Sequence, residues 1–418
     1  MSPRRSLQAV RPAPAWLQWP RLGVLRHRNF ALFWFGLVIS HSGTWMQIMV
    51  VGWLTDEMTR SAFWVGMVAA ARGVPMVVLP FFGGVVADRM DRRTLLWITQ
   101  VSQALLGLIL AILVAADVAQ IWHFAVLALL ASIAGAFDQP TRQAIVPALV
   151  PREDLRKAIA LHAVVFTGGA LLGPAIAGLL VPVIGAAGVL FINAASTLPV
   201  FVALALLNLP PFKPRPREAV LKSVRDGLRF AFSRELIVLV LLVSAATSLF
   251  GRSFQQLAPV FAREVLTADV RGVGWLMAAP GLGAVLGAFV VASVNRLPAN
   301  GRLSGIAVAG YLVALVGFAV STSLGLSLLL LVLVGLLITV FSACVRTMLQ
   351  LEATEAYYGR VMSLNTITFI GFAPVGALVI GSIAESVGIQ AATLIGAAVV
   401  AAVFAAVWLA RPTLRRAT

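Results

Sequence analysis

The chain has 418 residues, of which 60% are hydrophobic and 11% charged, and its mean hydropathy is +0.96. A water-soluble domain of this size needs far more polar surface, so the composition excludes one and implies a polytopic membrane protein. The net charge of +16 invites a nucleic-acid reading, but the Lys and Arg residues are dispersed between hydrophobic runs rather than gathered in one basic domain, so no nucleic-acid partner is expected.

Residues 1–29 contain six arginines and no long apolar core, so they lack the form of a cleaved signal peptide and read as a basic cytoplasmic tail. Beyond them, charges, Pro-rich turns and Asn/Gly clusters cut the apolar sequence into twelve segments of roughly 20 to 25 residues. Each is long enough to cross a ~30 Å hydrocarbon core as a helix. The predicted spans are 30–54, 62–86, 94–115, 121–145, 158–182, 187–208, 236–261, 272–294, 303–321, 326–347, 361–383 and 389–410. Their runs are continuously apolar rather than alternating, which favours helices over a barrel. With the N terminus in the cytoplasm, most of the 32 Lys and Arg residues fall on tails and connections of one face. Only Arg60, Arg263 and Arg271 fall on the other, which predicts both termini inside.

In chain order, helix 1 holds His41 at its centre, with Trp45 and Gln47 beyond it, and helix 2 holds Arg72 in mid-span. An unperturbed histidine titrates near neutrality, so His41 is a candidate proton carrier, with a packed, hydrogen-bonded histidine as the alternative. Arg72, like Arg252 in helix 7, lies ~15 Å from either membrane face at helical rise, too deep to reach water along its own stem. Each arginine either attracts an anionic or acidic-phenolic substrate group or holds carbonyls of a broken helix or Gln oxygens. Gln103, Asn193, Gln256 and Asn365 are further candidates to line a cavity. Asp138 is the one acid within a span, towards its cytoplasmic end. The single Cys344 lies in an apolar run and forms no intramolecular disulfide.

The longest connection divides the chain into a first bundle over 30–208, a linker over 209–235, a second bundle over 236–410 and a tail over 411–418. In the linker, "AVLKSVRDGLRFAF" places Val220, Val224, Leu228, Ala231 and Phe232 on one stripe, which predicts an interfacial helix on anionic lipid. The halves echo each other: "VGMVAAARG" (65–73) resembles "WLMAAPGLG" (275–283), the mark of a duplicated, rocking-bundle transporter. No phosphate-binding GxxxxGK[ST] motif is present, and no His/Cys cluster or Ser–His–acid set is evident. An enzyme, a metal site and a bound cofactor are therefore not expected.

Between helices 2 and 3, the pattern Gly84-x-x-x-Asp88-Arg89-x-x-Arg92-Arg93 resembles the signature loop of the major facilitator superfamily. Gly84 permits close helix approach, and Asp88 can accept from the exposed amides of a helix N terminus. The resemblance implies that this N terminus is that of helix 11, near Arg360, with Arg89 and Arg92 tied to Asp138, together latching the halves on the inner side. Asp91 stands where the usual pattern has glycine; aspartate tolerates a tight or left-handed turn. In helix 5, Gly169-x-x-x-Gly173-Pro174-x-x-Ala177-Gly178 is similar to the motif that exporters of the superfamily carry there. "SHSGTWMQ" (40–47), "AAARGVP" (69–75) and "FDQPTRQAIVPALVPREDL" (137–155) resemble the drug and siderophore exporter branch, which contains enterobactin and macrolide exporters.

The resemblance implies an all-α fold of two six-helix bundles working as a monomer among membrane lipids. Its expected task is export of a small amphipathic, drug- or siderophore-like solute across the bacterial inner membrane by alternating access, with protons exchanged. An importer or lipid translocator on the same fold is the alternative, and a non-transporting receptor or scaffold is the alternative of another class.

Overall fold

A computed structural model describes residues 23–79, 90–207, 220–293, 301–355 and 357–410. Its helices are α1 (Arg28–Thr59), α2 (Ala62–Val78), α3 (Arg92–Ala115), α4 (Ile121–Leu149), α5 (Leu155–Ala195), α6 (Leu198–Leu206), α7 (Val220–Phe232) and α8 (Glu235–Ala246). Then follow α9 (Ala258–Glu264), α10 (Val270–Ser293), α11 (Gly301–Val320), α12 (Leu324–Glu352), α13 (Tyr358–Thr366), α14 (Phe372–Val387) and α15 (Ile389–Ala410). Among the described residues there is no strand. Nine helical segments of the described residues are long and apolar enough to span a membrane, and one of them, Arg152–Leu206, holds two crossings. With α1 and α2 the crossings number twelve, as the apolar runs predict.

Local chemistry sets the ends. Arg60 adopts a left-handed conformation at φ 53° and its N–H closes α1 on the Asp56 carbonyl, and Ser61 then caps α2 by accepting from the Trp64 amide. Asp91, expected to serve a tight or left-handed turn, is instead extended at φ −58° and caps α3, accepting from the amide and the hydroxyl of Thr94 at 3.0 Å each. A carboxylate satisfies an orphan N–H that glycine could not, so the departure from the family pattern gives a stronger helix start.

Predicted spans five and six are two helices that meet at a break at Gly185, inside the predicted gap at 182–187; its φ of 74° only glycine takes without strain. Two expected features differ. Predicted span seven breaks after α8 into a π turn at Thr247–Gly251 and a 3₁₀ turn at Ser253–Gln255. Predicted span eleven breaks at a second π turn, Ile367–Gly371. The linker helix α7 forms, with Leu228 and Phe232 of the predicted stripe exposed and Ala231 buried. Phe230 stacks on Tyr357 with centroids 4.3 Å apart, and Gly227 lies against Arg360, so α7 docks on the second bundle through these residues.

Lipid is as apolar as leucine, so close packing of small residues, not burial of apolar area, brings these helices together. Two seams do so between the bundles. On α2, a Cβ at Gly66 would stand 2.8 Å from Leu378 Cα of α14, and Gly73 abuts Pro374. On α5, a Cβ at Gly178 would stand 3.0 Å from Gly274 Cα of α10, and one at Gly281 would stand 2.9 Å from Leu171.

Candidate transport cleft

In the first bundle, α1 lies against α5 where α5 has no side chains in the way. A Cβ on Gly169 would meet His41 Cδ2 at 2.7 Å, and one on Gly173 would meet the Ser42 carbonyl at 2.6 Å. The exporter-like motif thus splits its work: Gly169 and Gly173 seat α1 within the bundle, while Gly178, with the Pro174 carbonyl nearby, meets Gly274 across the seam. His41 sits edge-on to Phe166 at 4.5 Å, and its Nε2 accepts from Trp45 Nε1 at 3.3 Å. Asn193 Nδ2 donates to Gln47 Oε1. Gln103 Nε2, on α3, is buried without an acceptor.

Asp138 is buried. Its Oδ1 accepts from Thr99 Oγ1 at 3.0 Å and Gln100 Nε2 at 2.8 Å, while Oδ2 meets Arg142 Nε at 2.5 Å. The expected tie to Arg92 is absent, because Arg142, one turn along the same helix, already occupies the carboxylate. Arg92 donates instead to the Ala144 carbonyl at 2.8 Å, and Arg93 to the Ala205 carbonyl at 2.9 Å, each fastening α3 to a neighbouring helix of its own bundle. Gly84, Asp88 and Arg89 lie outside the described residues.

The two mid-membrane arginines differ. Arg252 closes the π turn of the eighth helix: its Nη1 donates to the Phe369 carbonyl at 2.7 Å, and the guanidinium lies over the Phe369 ring at 4.5 Å. Ser248 Oγ donates to that same carbonyl at 2.9 Å. Two broken helices are thus stitched at one oxygen, and Arg252 is held by the frame of the second bundle. Arg72, by contrast, has its carbonyl held by Ser132 Oγ of α4, while its guanidinium has no acceptor among the described residues. Gln256 follows the 3₁₀ turn, partly exposed, and Asn365 is buried in α13 with its Oδ1 unpaired.

Polar ties join the bundles at the membrane face opposite residue 28. Arg263 of α9 binds Asp56 of α1 in a fork, Nε to Oδ2 and Nη2 to Oδ1, each at 2.8 Å. Glu385 of α14 accepts from Ser61 Oγ at 2.5 Å and from the Phe63 amide at 2.9 Å, at the start of α2. Sequence reasoning did not select Asp56, Arg263, Glu385 or Arg142. The Asp138-x-x-x-Arg142 spacing was a usable signal, since residues four apart share a helix face. The other partners are more than two hundred residues apart and had none.

Residues 20–417 match the family model described as transmembrane secretion effector. The chain belongs to that family, within the major facilitator superfamily. The multidrug efflux pump Tap of Mycolicibacterium fortuitum is 26% identical over 376 residues, covering 87% of this chain and 91% of that protein. The enterobactin exporter EntS of Escherichia coli O81 (strain ED1a) is 30% identical over 331 residues, covering 78% of each. Among solved structures, a bacterial homolog of the human lysosomal transporter Spinster, inward-facing and occupied, superposes with a TM-score of 0.73 at 14% identity, covering 93% of this chain and 97% of that one. A POT family transporter in complex with 5-aminolevulinic acid gives 0.74 at 14% identity, covering 96% and 99%. At such identities the structural likeness speaks for the fold alone. This member of the major facilitator superfamily is therefore a multi-pass bacterial inner-membrane transporter with efflux relatives, and not an enzyme.

Proposed function

We propose that this transporter exports a small amphipathic solute, drug- or siderophore-like, out of the cytoplasm by alternating access, exchanging it for protons. The observation that supports this most is the distribution of inter-bundle contacts. Two seams of small residues let the bundles slide and rock, and two polar ties, Asp56 to Arg263 and Glu385 to the start of α2, hold one end shut. The positive-inside bias makes the N-terminal face cytoplasmic, so the tied end is the outer one. With its outer end tied shut, the cleft would load from the cytoplasm, as an exporter must. Breaking the outer ties and closing the inner face would release the solute outside.

Rocking needs few contacts to change, because each 1.4 kcal/mol of differential stabilisation alters a two-state ratio about tenfold. The small residues of α5 and the glycine and proline positions of α14 suit such a seam, since backbone contact permits sliding that interlocked long side chains would resist. His41 and Asp138 are the candidate proton carriers in the first bundle. The purified transporter in proteoliposomes, given an imposed pH gradient, should move apolar fluorescent drugs against their concentration gradient, in the direction set by the gradient. Solute movement that ignores the gradient would remove proton exchange, and none across a broad panel of amphiphiles would remove the transport reading.

A further inference from the structure

We propose that Arg72 is the centre of an anion-accepting site in the first bundle, so that the solute taken by the cleft carries a planar oxyanion, of carboxylate type, on an apolar body. This deepens the export reading above and rests on it for what the site is used for.

The argument starts from position. Arg72 lies about ten residues into α2 from Ser61, or ~15 Å along the helix, beyond the reach of a snorkelling side chain. The exposed large apolar residues of α2 are Trp64, Val74 and Val78. Its seam residues, Gly66 and Gly73, face α14. Arg72 belongs to neither stripe. Ser132 holds its carbonyl against α4, and Met76, one turn on, reaches Gly135 of the same helix. The side chain therefore starts from the face of α2 turned into its own bundle.

Charge comes next. A mid-span arginine is costly to insert, and such a group normally finds an acid or a carbonyl. Asp138 is the acid at hand, but Arg142, Thr99 and Gln100 occupy both of its oxygens. Among the described residues, then, neither mid-membrane arginine, Arg72 or Arg252, has a carboxylate partner. Arg252 is an internal comparison: the same residue type at similar depth is satisfied by the Phe369 carbonyl and ring. The fold has a means of satisfying a structural arginine, and does not use it at position 72. His41 adds no negative charge, and its Nε2, accepting from Trp45, leaves the ring proton on Nδ1. What the site lacks is an acceptor.

The guanidinium decides the ligand class. Its planar fork of N–H groups matches two oxygens of one carboxylate, and away from bulk water such a pair is strong. The aromatic rings beside His41, Trp45 and Phe166, offer apolar surface for the rest of the solute.

The test uses full-length protein in detergent and three matched probes: 2-naphthoate, its methyl ester and 2-naphthylmethylamine, titrated by calorimetry. Wild type should bind the acid at least tenfold more tightly than the ester and the amine. Arg72→Gln should remove that preference while leaving ester binding within about twofold, and Arg72→Lys should keep part of it. Absence of an acid preference in wild type, or its survival in Arg72→Gln, overturns the site. Flux separates the two readings. Export of the neutral ester without any acid preference would retain transport and discard the anion site. Arg72-dependent binding of naphthoate with no flux of any solute would retain the site and discard transport.

Discussion

Removing the fork between Asp56 and Arg263 should release the outer end of the transporter. Asp56→Asn keeps the size of the side chain but replaces one acceptor by a donor and removes the charge, so both 2.8 Å contacts are lost or weakened. Asp56 is buried, with 4% of its side chain exposed, whereas Arg263 keeps 23%. A hydrogen bond to a charged group is worth about 1.5–3 kcal/mol. With one partner partly in water, the lower end of that range applies. About 1.4 kcal/mol shifts a two-state ratio tenfold, so the outer-open state should gain about that factor. Spin labels at the exposed positions Arg60 and Arg271, one on each bundle, in a Cys344→Ala background, report the change as a longer-distance population. Arg263→Gln should act alike, and the double mutant should add little, because one tie is already open. An unchanged distance distribution in Asp56→Asn would refute the reasoning and reduce the fork to a folding contact.

Gly178→Leu should drive α5 from α10, because even a Cβ there would lie 3.0 Å from Gly274 Cα and 3.2 Å from the Val270 carbonyl; an overpacking cost of about 1–3 kcal/mol should appear as slowed flux with preserved ligand affinity. Arg252→Gln should lower the melting temperature in detergent, since the Phe369 carbonyl loses a charged donor worth about 1.5–3 kcal/mol, yet leave selectivity between acid and ester unaltered. A stable Arg252→Gln protein with lost selectivity would contradict that assignment. His41→Gln should retain pH-driven export, because glutamine still accepts from Trp45 and the ring it replaces is packed against Gly169; loss of gradient-driven flux with intact binding would make His41 the proton carrier.

The crossings were legible because an apolar run of sufficient length has one stable form in lipid, a helix that satisfies its own backbone. Breaks within helices were not. Gly251, Gly371 and Pro374 weaken a helix, but so do Pro140 and Pro147, which remain inside the unbroken α4. What converts weakness into a π turn is an external partner, here Arg252 and Ser248 reaching the Phe369 carbonyl from another helix. Arg252 was selected by its depth, but its partner, 117 residues away in sequence, could not be read. The role expected for Arg92 failed for a related reason. The family pattern named an aspartate and two arginines, but competition among arginines is settled by distance, and Arg142 stands nearer to Asp138. On α7 the predicted stripe identified an amphipathic helix correctly, while the aromatic contact of Phe230 with Tyr357 decided which face docks.

Adjacent residues on α2 should give opposite readouts. Gly73 abuts Pro374 across the bundle seam, and Arg72, a third of a turn away, belongs to the face turned into its own bundle against α4. Arg72→Gln should therefore change which probes bind while leaving the Arg60–Arg271 distance distribution as in wild type. Gly73→Leu should do the reverse. Pro374 is a rigid ring on a helix already bent by its π turn, so a leucine side chain must push α14 away and shift the bundle equilibrium, while naphthoate keeps its preference over the ester. Each variant serves as the other's control for expression and insertion, since both alter the same helix at the same depth. If both changed the distances alike, α2 would act as one rigid lever and the division between cleft face and seam face would be wrong. If neither did, while Asp56→Asn still opened the outer end, the polar ties rather than the α2–α14 seam would govern the equilibrium.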